Sequence, residues 1–383
     1  MHKITPGVIE KLSEPQSSPV LSIYIPTHRH PTPPHMQEDQ IRLKNALREA
    51  RSLLETQGVD SRGIHANLQI AEELIEDMTF WQNTIEGLAI FINEQETQLY
   101  HSPIEFEESV SCDTGFDVAP LHMIHSQDVK FYVLALSMHG SKVYQGDAYG
   151  LRALTIDLPK SPEDALSIDE MFANSQTMRS HGGGTAPHGE GDSSEAGSHE
   201  RLQYFRIIEK RLMEHDEFDQ NAPLLLVATE SEAGNFKSVT NLPHLLTDFV
   251  AGNYMESSIQ DLFAVTWPVI RSQVIQKDET KLVERFGEYK GQYRASSNTN
   301  EIEEAAEQGR VDTLLVNYID ETNDSVSDVH TGPAPIIRTT AVETDTDRLK
   351  HLIDLVYSQG GKIIGLDFAR MPEAAIAAAL YRY

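Results

Sequence analysis

Three histidines, four carboxylates and six glycines fall within the twenty residues from His181 to Glu200, a stretch with no aromatic side chain and no aliphatic one larger than alanine. Imidazole and carboxylate together are ligands for borderline divalent metals. The separations of His181, His188 and His199 match no compact site, such as two histidines one helical turn apart, so no metal is assigned. Backbone N–H groups of a glycine tract can cradle phosphate. Gly182, Gly183 and Gly184 are not followed by the Lys-Ser/Thr pair of a nucleotide-binding loop, so no cofactor is assigned either. A long polar segment inside a globular chain is either functional or solvated.

A second cluster, His28-Arg29-His30, follows an apolar run directly. Strand C-terminal ends are where α/β proteins place ligand contacts, which makes these three residues candidates. Arg42, Lys44, Arg48 and Arg51 follow on a helical pattern and are candidate RNA contacts. Hydrolase chemistry has less support. Ser22, Ser137 and Ser141 lie near strand ends, but no Gly-x-Ser-x-Gly elbow surrounds them. Cys112 sits alone in what reads as a polar loop, with no paired motif. No catalytic residue is assigned on residue type and spacing.

The elements that must hold these groups read as α/β throughout. Pro19 to Pro26 is a short buried strand, followed by a polar, proline-rich segment from Thr27 to Asp39. Ile41, Leu43, Ala46, Leu47, Ala50, Leu53 and Leu54 then recur at helical spacing. A second helix is predicted over Ile64 to Phe80, and a hairpin from Gly87–Ile92 and Gln95–Tyr100. Lys130–Ser137 and Lys142–Gly146 read as strands, Ser161–Ala173 and Glu200–His215 as helices, Ala222–Thr229 as a buried strand and Leu242–Val250 as a helix. Ser257–Arg285 is helical with Pro268 kinking or dividing it. Ile302–Gln308, Val311–Val316, Arg348–Ser358 and Lys362–Leu366 alternate helix and strand, and the chain ends in an alanine-rich stretch, Ala374–Leu380. This alternation predicts mixed, largely parallel sheets in three consecutive α/β domains, residues 1–125, 126–275 and 276–383.

The net charge is -28, from 59 acidic and 31 basic residues. Such a balance argues against a broad phosphate-binding face, since nucleic-acid affinity comes mainly from Lys and Arg. Any RNA contact has to be local. No apolar run approaches a membrane span, the N-terminus lacks a signal-peptide core, and the one cysteine allows no intrachain disulfide. A reducing, cytoplasmic location is the expectation.

With the order of parts in hand, a resemblance emerges. Glu307-Gln-Gly-Arg-Val-Asp-Thr-Leu-Leu-Val316, Gly360-Gly361-Lys362-Ile-Ile-Gly365 and the terminal Ala-Ala-Leu-Tyr-Arg-Tyr383 resemble the C-terminal domain of the archaeo-eukaryotic class-I release factor and Pelota superfamily. That domain is an α/β/α sandwich like the kink-turn RNA-binding ribosomal proteins. Phe131–Ser137, Ser141–Gly150 and the loop before Glu200-Arg-Leu-Gln-Tyr-Phe205 resemble its central domain. Leu21-Ser-Ile-Tyr-Ile-Pro-Thr-His-Arg29 looks like the bacterial branch, whose first domain differs from the stop-codon-reading one.

The resemblance implies a translation-associated protein that binds the ribosome or a tRNA-containing complex. In class-I release factors the central loop carries Gly-Gly-Gln and helps water attack the peptidyl-tRNA ester. His181-Gly182-Gly183-Gly184 stands in that place here, so the glutamine position is Gly184, and Glu190, Asp192, Glu195 and Glu200 follow with no Lys or Arg. The expectation is a factor that binds without hydrolysing. The alternatives are a peptidyl-tRNA or other ester hydrolase using residues 181–200, and an acidic protein-interaction module. No membrane partner is expected.

Overall fold

The computed structural model describes residues 3–16, 19–59, 61–125, 128–165, 167, 193–318, 336–337 and 343–383. The glycine-rich segment's motif residues, His181 to Gly184, lie outside these residues, as does most of 320–336. Chain contacts divide the molecule into two units, Met1–Asp128 with Asp278–Tyr383, and Val129–Lys277.

The first unit begins from β1 (Val20–Pro26), buried along its whole length. It pairs antiparallel with β2 (Gly87–Ile92) and with β5 (Ser109–Asp113), and β2 pairs antiparallel with β3 (Thr97–Ser102). The side chains alternate between faces. Leu21, Ile23 and Ile25 pack with Leu43, Leu47 and Leu54 of α2 (Pro33–Thr56) and with Ile64 and Leu68 of α3 (Arg62–Glu73). Tyr24 belongs to a second core with Phe91 and Phe106, the latter in β4 (Glu105–Phe106), and with Leu121 of α5 (Ala119–His125).

Both faces of β1 are therefore covered. An antiparallel strand buried on two sides looks, in sequence, like the continuous apolar run of a parallel one. In this region one segment gains an element and two local expectations are corrected. The α2 helix starts at Pro33, with proline in its first turn, where the missing N–H costs nothing; the proline-rich segment is therefore largely helical. The single helix over Ile64–Phe80 is broken into α3, a 3-10 turn at Leu74–Glu76 and α4 (Met78–Trp81), whose first turn is capped by the Asp77 carboxylate. Cys112 lies in β5 rather than in a loop, half-buried, and burial pushes its thiol up from the ordinary value.

The same unit carries a second sheet. Its order is β11 (Ala295–Ser296), β15 (Ala377–Tyr381), β12 (Val311–Tyr318) and β14 (Lys362–Asp367). Only β12 and β14 are parallel here. The alanine-rich tail is thus an interior strand, buried at every position. Neighbouring strands on both sides override alanine's weak strand preference, and left-handed backbone at Glu373 and Ala374 prevents a helix from leading into it. Ahead of this sheet, α9 (Gln276–Lys290) and α10 (Thr299–Glu307) supply Phe286, Ile302 and Ala306 to its cores. Following α10, Gly309 at φ +69° takes the left-handed position that ends the helix. Between β12 and β14 runs α11 (Glu343–Ser358), which packs Leu349, Leu352, Ile353 and Val356 inward.

The second unit is built on a five-stranded sheet ordered β10 (Leu245–Ala251), β9 (Leu224–Ala228), β6 (Phe131–Ser137), β7 (Gly140–Asp147), β8 (Gly150–Leu154). Strands β10, β9 and β6 are parallel, while β6, β7 and β8 form an antiparallel meander. Across both units antiparallel pairs outnumber parallel ones among the described residues, against the largely parallel expectation. The helix predicted over Leu242–Val250 is replaced by β10. Leu242, Leu245, Leu246 and Phe249 imitate helical spacing, yet His244 takes a φ of 58° and the edge of β9 provides pairing.

Helix α7 (Glu230–Val239) follows β9 and opens with a Thr229/Glu232 capping box, a legible helix-start signal. Helix α6 (Ser193–Met213) buries Tyr204, Phe205, Ile208 and Leu212. Helix α8 (Ile259–Ile270) contains Pro268 and passes through a π-helical turn, Arg271–Ile275, into α9. A proline and a π-turn are two recognised ways of bending a helix without ending it. No helix among the described residues is long and apolar enough to cross a membrane.

Candidate functional site

The candidate residues His28, Arg29 and His30 lie just past the end of β1, as their position after an apolar run requires. The early start of α2 then brings a residue that sequence reading missed, Asp39, against them. The backbone N–H of His28 donates to Asp39 Oδ2 at 3.0 Å, and His28 Nδ1 lies 2.8 Å from Asp39 Oδ1. Arg42, one turn along α2, approaches the same Oδ1 at 3.4 Å. The Asp39 side chain has no exposed surface. Burial pushes its pKa up, while the His28 hydrogen bonds and the Arg42 charge pull it back down.

The ring of His28 is stacked on His35, centroids 4.3 Å apart and planes 6° from parallel. A carboxylate on Nδ1 fixes both tautomer and ring orientation and leaves Nε2 outward, an arrangement suited to proton transfer or metal ligation. The described hydroxyls of the group are engaged with backbone: that of Thr27 donates to the carbonyl of Ile85, and that of Thr84 to the carbonyls of His28 and Trp81. Among the described residues no cluster of three or more His, Cys, Asp or Glu is placed to hold a metal ion.

The neighbouring cations are neutralised. Arg29 makes a two-pronged ion pair with Glu86, Nε to Oε1 at 2.6 Å and Nη2 to Oε2 at 2.7 Å. Arg42 also reaches Glu38 at 2.7 Å and Glu108 at 3.3 Å. His30 takes left-handed backbone, φ 50°. The structure does not bring Lys44 and Arg48 into this group. At about 100° per residue they face away from Arg42 on α2, both exposed. Arg51 pairs with Glu72 at 2.5 Å. The helical phase of Asp39 and Arg42 was legible; the signal that would have found the pair was Pro33-Pro34 read as a helix start.

In the second unit, the helix that follows the glycine-rich segment in the chain is held to the sheet at both ends of β6. Tyr204 of α6 donates its hydroxyl to the carbonyl of Ser137 at 3.1 Å, at the C-terminal end of β6, and burial pushes that phenol up to about 12. At the other end of β6, Tyr132 donates to the carbonyl of Glu217, just beyond α6. Helix α6 thus runs back along the sheet from strand ends to strand beginnings. Its backbone extends to Ser193, eleven residues before Tyr204 or about 16 Å at helical rise. The β6–β7 turn is held by Met138 N donating to Glu232 at 3.0 Å, the residue that also caps α7. A firm platform therefore lies at the C-terminal ends of parallel β6 and β9, where ligand contacts occur in such sheets.

The profile of the bacterial archaeo-eukaryotic release factor family 3 matches residues 130–310. No curated protein matches the sequence. Among solved structures, the chain is similar to the archaeal translation termination factor aRF1 at 15% identity, covering 98% of this chain and 96% of that one, with a TM-score of 0.23. It is similar to Archaeoglobus fulgidus Pelota at 11% identity, 77% and 79% coverage and a TM-score of 0.37. It is also similar to a ribosome-bound archaeal Pelota, in a structure with ABCE1, at 11% identity, 100% and 95% coverage and a TM-score of 0.34. The matched residues 130–310 take in the five-stranded sheet, the glycine-rich segment and the helix after it, and over them the chain is similar to the bacterial archaeo-eukaryotic release factor family 3.

Proposed function

We propose that the protein is a translation-associated factor that engages the ribosome or a tRNA-containing complex without hydrolysing peptidyl-tRNA. The family match over residues 130–310 carries the first half of this reading. The residues in the motif position support the second. Hydrolysis in the release factor manner uses a glutamine after two glycines; here Gly184 follows Gly182 and Gly183 and brings no side chain. Glu190, Asp192, Glu195 and Glu200 then place negative charge on a segment that would have to approach ribosomal RNA, which is unfavourable. His181 to Gly184 is accordingly proposed as a motif-equivalent segment, not a catalytic one.

Co-sedimentation with ribosomes over a salt series tests the binding half. The expected result is association at low salt that weakens as salt rises; no association at any salt overturns it. Release of labelled peptide from peptidyl-tRNA on the ribosome tests the other half. The expected rate equals that without protein, and a rate that rises with the intact protein but not with a variant lacking His181–Ser198 establishes the hydrolase instead.

A further inference from the structure

Three adjacent strands of the second sheet in the first unit each carry an arginine at the same end. Arg294 immediately precedes β11, Arg382 immediately follows β15, and Arg310 immediately precedes β12. The pairings Ala295 with Leu380 and Val311 with Tyr381 put all three at one edge, across about 10 Å of strand spacing. Arg285 joins them from α9. Its guanidinium lies 4.8 Å from the centre of the Tyr289 ring, and that of Arg294 lies 4.5 Å from the same ring. Arg310 sits 5.4 Å from the ring of Tyr381.

What holds these guanidinium groups is the informative part. Arg294 Nη2 donates to the carbonyls of Arg382 at 2.7 Å and Tyr381 at 3.4 Å. Arg382 donates to the carbonyls of Gly309 at 3.2 Å and Gln359 at 2.9 Å. Carbonyls and aromatic faces orient a guanidinium without cancelling its charge. Among the described residues the carboxylate paired with these arginines is Asp312, 3.9 Å from Arg285 with both side chains about half exposed; Glu301 and Glu304 act on Tyr381 through their field. Lys290 takes no part, being paired with Glu373. In a chain of net charge -28, four arginines that make one ion pair, at 3.9 Å, among the described residues are a local positive spot. Beside them Tyr293 is 94% exposed, on left-handed backbone at φ 59°.

We propose that this arginine-lined sheet end binds the phosphodiester backbone of single-stranded RNA, with the Tyr293 ring as a stacking face for a base. Arginine donors match phosphate oxygens geometrically, and an exposed ring beside a basic track is how single strands are gripped without sequence readout. The choice of RNA rests on the translation-factor reading above; the phosphate site rests on the arginine geometry alone.

The test uses the full chain and a fluorescein-labelled twelve-residue oligouridylate, followed by anisotropy over a salt series. Binding at low salt is expected, with log K falling linearly in log salt. Replacing Arg285→Ala and Arg382→Ala together lowers that slope by about 1.4, at about 0.7 per phosphate contact on a single strand. Tyr293→Ala weakens binding about tenfold with the slope unchanged. The double Arg→Lys variant, which keeps the charges, retains the slope and separates charge from folding. Three results overturn the proposal: no binding by the intact chain at low salt, an unchanged slope in the double alanine variant, or equal affinity for polyglutamate of the same charge. Ribosome co-sedimentation of the same variant distinguishes the two readings. Intact association with an unchanged oligouridylate slope sinks the arginine face alone. Oligouridylate binding without any ribosome association sinks the translation-factor reading and leaves the face standing.

Discussion

At the end of β1 and at the arginine-lined end of the other sheet in the same unit, positively charged side chains meet opposite fates. Behind β1, Arg29 is clasped by Glu86, and Arg42 is shared by Glu38, Asp39 and Glu108. At the other sheet end, Arg294 and Arg382 are held by backbone carbonyls, and Arg285 and Arg310 lie over tyrosine rings. The first arrangement spends cationic charge on structure. The second orients the charge and leaves it to act on whatever approaches. In a chain with nearly twice as many acids as bases, the identity of the acceptor says more about binding than the number of arginines does.

Removing Asp39 is the strongest way to break the comparison. Its fully buried carboxylate collects the His28 backbone N–H, His28 Nδ1 and Arg42. Asp39→Ala leaves those donors without their acceptor, a loss of about 3 kcal/mol in unfolding free energy measurable by urea denaturation. If the β1 end is structural, the salt slope for oligouridylate stays that of the parent protein. A slope that rises instead shows that Arg42, once released, is as able to bind phosphate as the other arginines.

How far these two regions were legible in the sequence differs for a physical reason. The His28-Arg29-His30 cluster could be singled out because a strand end is visible as an apolar run closed by proline. Its partner Asp39 was hidden because the proline-rich segment was assigned no element, although two of its prolines form the first turn of a helix. The arginines of the other end are scattered from Arg285 to Arg382, and only strand order places them side by side. That order depends on β15, whose alanines carry no strand signal of their own. Leu242–Val250 shows the same limit, since three of its four apolar residues at helical spacing lie in an edge strand. Local pattern gave element type even for β1, β6 and β9, buried along their whole length, and failed where a neighbouring strand decides.

A third carboxylate tests the converse case, an acid facing an acid. Asp354 on α11 is raised to about 6, first by burial and next by the charge of Asp117, with His351 and Lys350 pulling the other way; Lys350 itself bonds Asp117 at 2.6 Å, and His122 Nε2 stands 4.0 Å from Asp354. A folded-state value above the unfolded value near 3.9 means the folded form favours the protonated acid. Its contribution to stability is therefore present below about pH 4 and is lost as pH rises through about 6. Asp354→Asn should leave stability unchanged at pH 4 and raise it at pH 7.5. Since the side chain is 54% exposed, solvent screening reduces the gain to about 1 kcal/mol. Thermal melts of both proteins across this range check it; parallel curves would show that Asp354 is not raised by burial and the Asp117 charge.

The smallest expected effect bears on the comparison most directly. Among the described residues, Asp312 is the carboxylate that forms an ion pair with an arginine of this end, 3.9 Å from Arg285 Nη2, with the two side chains 41% and 46% exposed. An exposed pair at that distance is worth between nothing and about 1 kcal/mol, so its removal should scarcely move the melting temperature. Its effect on an incoming phosphate is a separate matter, because the acid repels the phosphate as well as occupying the arginine. Asp312→Asn keeps the size of the side chain while deleting the charge, and the Thr313 hydroxyl that bonds Asp312 at 3.1 Å retains an oxygen acceptor. Oligouridylate binding should tighten about two- to fivefold at low salt, and the gain should fade as salt shortens the reach of the charge. The same substitution at Glu86, behind β1, would release a bidentate partner and destabilise the fold. Tighter binding from Asp312→Asn at unchanged stability would therefore mark a functional surface, and no change in binding would mean that Arg285 does not face the RNA.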